Sequence, residues 1–269
     1  MSGGRRGDAH CVGGVESRVL GGELAVAANL DLTPSAAGRP RVPRSRSAPA
    51  RAYRRSLMDL VPGRLRTRAW WTVAGLGALV VAGGLVVRGD SSPLGIELRI
   101  VHSVDSHAGG TARWNPVFDS VIPWAIIATL TALIGWALTR HWWRALVACA
   151  AVPLAIELTE LVLKPLVGRG PARGLLYPSG HVTGVAATVT LVVVLVGFRI
   201  QRRLAIGLLV GVALAGCAGA ALAAVATHAH GPLDTVAGLP TGAAVALAWM
   251  LAVDAVASTA RRRPAPGCR

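Results

Sequence analysis

Six apolar runs, each close to the length an α-helix needs to cross a hydrocarbon layer, dominate the chain beyond residue 68. They are Ala69–Val87, Val121–Thr139, Ala145–Leu163, Val182–Phe198, Leu204–Ala226 and Val236–Val256. A helix buried in a soluble protein rarely stays apolar around its whole circumference for so long. Charged residues make up 15% of the chain, against roughly a quarter in an average soluble domain. These features exclude a soluble cytosolic enzyme. The expected fold is all-α: a polytopic membrane bundle of six transmembrane helices at 69–257, preceded by a disordered basic tail at 1–68 and followed by a short basic tail at 258–269. Met58, followed by basic residues and the first apolar run, is an alternative start that would remove most of the long tail.

The net charge of +15 divides into +8 for residues 1–68 and +7 for the remainder. With the N-terminus inside, the inner segments carry the tail arginines, Arg140, Arg144, Arg199, Arg202, Arg203 and Arg261–Arg263. Arg88, Arg99, Arg113, Lys164, Arg169 and Arg173 fall outside, with Asp90, Glu97 and Asp105 among them. The positive-inside rule therefore puts both termini in the cytoplasm of a multi-pass protein of the cell membrane. Trp70, Trp71, Trp142 and Trp143 stand at helix ends, where amphipathic rings prefer to sit. The basic tail reads as a segment lying beside anionic lipid; no nucleic-acid partner is expected. Cys149 and Cys217 lie in apolar runs and read as small hydrophobes, and no cysteine spacing suggests a disulfide framework or a zinc site. Between the first two spans, Ser91–Asn115 fits either a short interfacial helix or an irregular loop.

The unusual polar residues gather on the outer side. Lys164, the chain's single lysine, lies with Arg169, Arg173, Ser179 and His181 between the third and fourth spans. His228, His230 and Asp234 lie between the fifth and sixth. Lysine supplies a point charge and arginine a planar fork suited to phosphate oxygens. The turn Pro178-Ser179-Gly180 feeds a helix whose free N–H groups can face the same anion. Histidine changes charge near neutral pH and can act as acid, base or nucleophile. Pro232 favours a helix start, with His230 and Asp234 four residues apart at its opening. Taken singly, Lys164 also reads as a snorkelling helix end paired with Glu160, and each histidine as a solvated interface residue. Asp254 near the inner end of the last span needs only Arg261 or water.

Three segments in order carry a resemblance. Lys164-Pro-Leu-Val-Gly-Arg169, Pro178-Ser179-Gly180-His181 and His230-x-x-x-Asp234 are similar to the three motifs of the type 2 phosphatidic acid phosphatase superfamily. The likeness covers roughly residues 69–257, six-helix layout included. It implies a phosphoric ester or pyrophosphate hydrolase that needs no metal or other cofactor. By that resemblance His230 attacks phosphorus to form a phosphohistidine, Asp234 orients it, and His181 protonates the leaving oxygen. Lys164, Ser179 and the Gly180 backbone hold the phosphate, with Arg169 or Arg173 as the supporting arginine. The chain departs from the pattern twice. The arginine-proline pair expected seven residues past the lysine is Pro171-Ala172, and the serine-arginine pair expected six residues before the nucleophile is Ala223-Ala224.

The resulting expectation is a lipid phosphatase acting on a phosphomonoester or polyprenyl pyrophosphate at the extracytoplasmic face. The missing arginine supports an alternative, a non-catalytic lipid-phosphate-binding or scaffold protein. A transporter ranks last, because the charged groups cluster at one face rather than at mid-membrane. Neither the particular lipid nor the oligomeric state is legible at this stage.

Overall fold

The computed structural model describes residues 59–90, 92–170, 176–200 and 202–262. These residues form helices without strands: α1 (Gly63–Val86), α2 (Gly95–Ala108), α3 (Thr111–Thr139), α4 (Trp143–Val167), α5 (Gly180–Gly197), α6 (Arg203–Ala226) and α7 (Pro232–Arg262). All but α2 are long and apolar enough to cross a membrane. Their outward faces carry large exposed apolar side chains such as Leu79, Leu85, Leu208 and Val212. A bundle that is apolar outside as well as inside is matched to lipid, and the chain is a multi-pass membrane protein.

The central contact joins α5 to α7. A Cβ added at Gly242 would come within 2.2 Å of the Thr183 carbonyl, and one at Gly238 within 2.9 Å of the Ser179 carbonyl. Bare backbone at these two positions lets the helices touch, as small residues do in membrane interfaces. The consequence is local to the site: Ser179 at the head of α5 donates its N–H to the Asp234 carbonyl at 2.9 Å.

Two spans are interrupted near that end. In α3 the wide π-turn Val117–Val121 precedes Pro123, and in α4 the π-turn Thr159–Leu163 precedes Pro165. Each proline lacks an N–H and crowds the carbonyl four residues back, which here lies inside the π-turn. The first wide turn carries Phe118; the second ends immediately before Lys164.

One boundary and one side-chain environment differ from expectation, and of the two readings open for residues 91–115 the helix is the one observed. The first span starts at Gly63, and the residues before it are packed: Leu60 and Val61 are buried in the main core, and their N–H groups donate to Asp254 at 3.1 and 2.9 Å. The expected tail boundary at residue 68 is therefore too late. Asp254 is fully buried rather than water-facing, and also meets Arg144 at 3.2 Å and Arg66 at 3.5 Å. The segment after α1 forms the helix α2, whose first-turn Glu97 is buried; Met58 and most of the basic tail lie outside the described residues.

Candidate functional site

His181 occupies the second position of α5, and His230 precedes α7. Phe118 joins them. Its ring lies 4.3 Å from the His181 ring, tilted by 33°, and meets the His230 ring edge-on at 6.2 Å. The two imidazoles from separate inter-helix turns therefore share one aromatic wall.

The backbone of His230 donates to the Ala224 carbonyl at 3.2 Å, and its Nδ1 lies 3.1 Å from the Leu176 carbonyl oxygen. A carbonyl only accepts, so Nδ1 bears the proton and Nε2 keeps its lone pair. Burial, with the positive charge of Lys164 beside it, pushes the pKa of His230 down to about 4; His181 adds to the shift and the Leu176 carbonyl opposes it. His230 is thus a neutral imidazole at pH 7, and Lys164 and His181 are close enough to act on it. Asp119, Glu160 and Lys164 are the charged neighbours of His181.

Lys164 places Nζ 2.7 Å from both carboxylate oxygens of Glu160. That carboxylate rests against the head of α5, where a Cβ on Gly180 would lie 2.2 Å from its Oε1. Ser179, the residue preceding the helix, is fully buried and its Oγ has no hydrogen-bond partner among the described residues. Among the described residues the N–H groups of Gly180, His181 and Val182 also lack acceptors, as the opening of a helix dictates.

Arg169 has a different role from the one expected. Its guanidinium is buried between two buried carboxylates, Asp234 at 2.7 Å and Glu97 of α2. Both are salt bridges to opposite nitrogens of one fork. Burial alone would lower the pKa of Arg169, but the paired carboxylates raise it. Burial would likewise raise that of Glu97, yet Arg169 and the N–H groups of Leu94 and Leu233 hold it below the ordinary range. Arg169 is consequently a brace between α2, the α4–α5 turn and α7 rather than a free phosphate ligand. Asp234 likewise spends its carboxylate on Arg169 and on the Gly231 N–H at 2.9 Å, so it positions the backbone after His230 while the Leu176 carbonyl holds the ring.

The other expected residues distribute simply. Lys164, Ser179, Gly180, His181 and His230 come together; Arg173 lies outside the described residues. His228 is exposed and pairs with Asp105 at 3.3 Å. Ala223 and Ala224 are fully buried against Phe118, Ile122 and Val182, leaving no room for an arginine side chain there. Sequence reasoning missed Phe118 and Glu97. The first is one of only two phenylalanines in the chain; the second is an acid set three residues after Leu94, the spacing of a helix-capping glutamate. Tyr177, buried over Gly83 and Gly84, donates its hydroxyl to the Val80 carbonyl at 2.8 Å and fastens the turn before Pro178 to α1. Among the described residues no group of three or more His, Cys, Asp or Glu side chains is disposed to hold a metal.

No protein-family model, curated protein or solved structure matches the chain.

Proposed function

We propose that this protein is a membrane lipid phosphatase that hydrolyses a lipid phosphomonoester or polyprenyl pyrophosphate through a phosphohistidine. The observation that carries this reading is the convergence of a neutral His230, His181 and the ammonium of Lys164 around the unsatisfied head of α5. The three resembled motifs supply the residues, and the geometry supplies a tautomer suited to the chemistry.

In the proposed reaction Nε2 of His230 forms a bond to phosphorus while the bond from phosphorus to the leaving oxygen breaks. His181, after taking a proton from the substrate's phosphate or from water, gives it to that oxygen. Lys164, the N–H groups at the head of α5 and Ser179 Oγ take up the charge on the other phosphoryl oxygens. Water then attacks the phosphohistidine, losing a proton to His181 and releasing inorganic phosphate. Arg169, Asp234 and Glu97 act as positioning residues. In the resembled family no metal takes part, so turnover is expected to persist in chelator.

An amphiphilic substrate suits the surroundings. An apolar groove of about 320 Å³ descends beside the site, lined by Val117, Val121 and Ile122 of α3, Val185 of α5, and Gly216 and Ala220 of α6. A hydrocarbon tail can lie there with its phosphate at the head of α5. The arginine distribution puts this end of the bundle outside the cytoplasm, in the cell membrane, with both termini inside.

The test is phosphate release from phosphatidate and from farnesyl pyrophosphate by purified protein in chelator. Turnover by the native chain, lost in His230→Ala, is expected. Turnover that needs added Mg²⁺ or survives the substitution contradicts the mechanism. Tight phosphate binding without release would favour a binding protein, a reading supported by the engagement of Arg169 and by Ala223-Ala224 where the resembled motif has serine-arginine.

A further inference from the structure

We propose that Glu160 is an internal competitor for the anion seat, setting an affinity threshold that doubly charged terminal phosphates pass and singly charged phosphodiesters do not. The inference rests on the reading of that seat given above. Glu160 is not among the residues that resemble a family motif, and its contacts are those of a bound anion. Both of its oxygens lie 2.7 Å from Lys164 Nζ, and its carboxylate rests against the head of α5, in the space that a Cβ at position 180 would enter. Beside it stand the unpartnered Ser179 Oγ and the unfilled N–H groups of Gly180, His181 and Val182. The chain's own carboxylate thus holds the ammonium that a phosphate needs.

The consequence follows from counting charges. To reach Lys164, any anion must first release Glu160 into water, a cost that is the same for every ligand. A phosphodiester, with one charge, makes about the same contact that it breaks and gains little. A terminal phosphate or pyrophosphate, with two or more charges, keeps a surplus. A site at headgroup depth is bathed in phosphodiester lipids at very high local concentration. An unoccupied lysine and helix end there would stay filled by them. Glu160 keeps the seat clear by lowering every affinity, which removes the diesters from binding and leaves the rarer dianion able to enter. An exposed pair of this kind is worth about 1 kcal/mol, so the shift is about five- to tenfold.

The experiment uses the full chain in a phosphate-free maltoside detergent at pH 8, with inorganic phosphate as the dianion and diethyl phosphate as the monoanion, followed by titration calorimetry. In Glu160→Gln both ligands are expected to bind five- to tenfold more tightly. Phosphatidylglycerol in mixed micelles should then inhibit lipid-phosphate turnover by the variant but not by the native protein. Glu157→Gln, which removes the same charge from an exposed position three residues earlier, is expected to change neither. Phosphate binding that is unchanged or weakened in Glu160→Gln overturns the proposal, since Glu160 then merely orients Lys164. The underlying reading fails separately: phosphate bound by neither protein, or binding indifferent to Lys164→Met, removes the seat itself.

Discussion

Both ends of the bundle contain an arginine buried between two carboxylates, yet among the described residues only one end also gathers two imidazoles and an ammonium. Near the chain termini Arg144 meets Asp59 at 2.8 Å and Asp254 at 3.2 Å, and Asp254 also accepts the N–H groups of Leu60 and Val61. At the site end Arg169 meets Glu97 and Asp234, while Glu97 also accepts the N–H groups of Leu94 and Leu233. Each cluster fastens a segment lying outside the spans, the lead-in to α1 in one case and α2 in the other. The difference lies in the neighbours. Arg144 and its carboxylates adjoin the lead-in residues Leu60 and Val61, which belong to the main apolar core. Around the Arg169 cluster stand a hydroxyl without a partner, open helix N–H groups and a neutral imidazole. Buried ion pairs by themselves are weak evidence for function; two imidazoles and an ammonium gathered beside a helix opening are stronger evidence.

The comparison breaks if the two arginines behave alike. Arg169→Met strands two buried carboxylates and should destabilise the protein by about 3–5 kcal/mol in thermal or denaturant unfolding. Arg144→Met leaves Asp59 and Asp254 with Arg66, and Asp254 with the Leu60 and Val61 N–H groups, so its loss should be smaller, about 1–3 kcal/mol. Their effects on turnover should part company. The folded fraction of Arg144→Met is expected to hydrolyse substrate within about twofold of the native rate, whereas Arg169→Met should lose about a hundredfold or more, through displacement of the His230 turn.

Ser179→Ala sharpens the contrast further. The hydroxyl makes no hydrogen bond among the described residues, so its removal should leave stability unchanged or raise it by about 1 kcal/mol at most. Meanwhile kcat/KM should fall about 10- to 100-fold, because the group is used only when phosphate is bound. A loss of stability without a loss of activity would return Ser179 to the ordinary core.

Most of the architecture was legible because lipid imposes a simple code. Apolar runs such as Leu204–Ala226 had to be helices, and the observed α6 spans Arg203–Ala226. Lys164, Ser179, Gly180, His181 and His230 were singled out from short motifs, and the fold gathers them at one end of the bundle. What escaped was whatever depends on partners distant in sequence. Arg169 and Glu97 are 72 residues apart, and nothing local to Arg169 distinguishes a phosphate ligand from a brace. Asp254 likewise meets Leu60 across 194 residues. Phe118 was hidden for another reason: the π-turn that carries it breaks the 3.6-residue rhythm by which faces are read.

The pH response carries a definite sign. His230 has a folded pKa of about 4, below its ordinary 6.5. The unfolded chain therefore binds the proton more readily, and the stabilisation is complete above pH 6.5 and lost as the pH falls toward 4. Unfolding in detergent should show a loss of about 3 kcal/mol across that window, absent in His230→Phe. The smallest expected effect belongs to His228→Ala. Its exposed pair with Asp105 should contribute less than about 1 kcal/mol, and turnover should stay within about twofold. A large loss there would extend the active region beyond the Phe118 wall.

The most direct measurement is a rapid-quench experiment with phosphatidate labelled in its phosphorus. The account predicts an acid-labile, base-stable phosphoryl group on the peptide containing His230, formed and discharged at the rate of turnover and missing in His230→Ala. Hydrolysis without such an adduct, or an adduct that persists after the substitution, would contradict it.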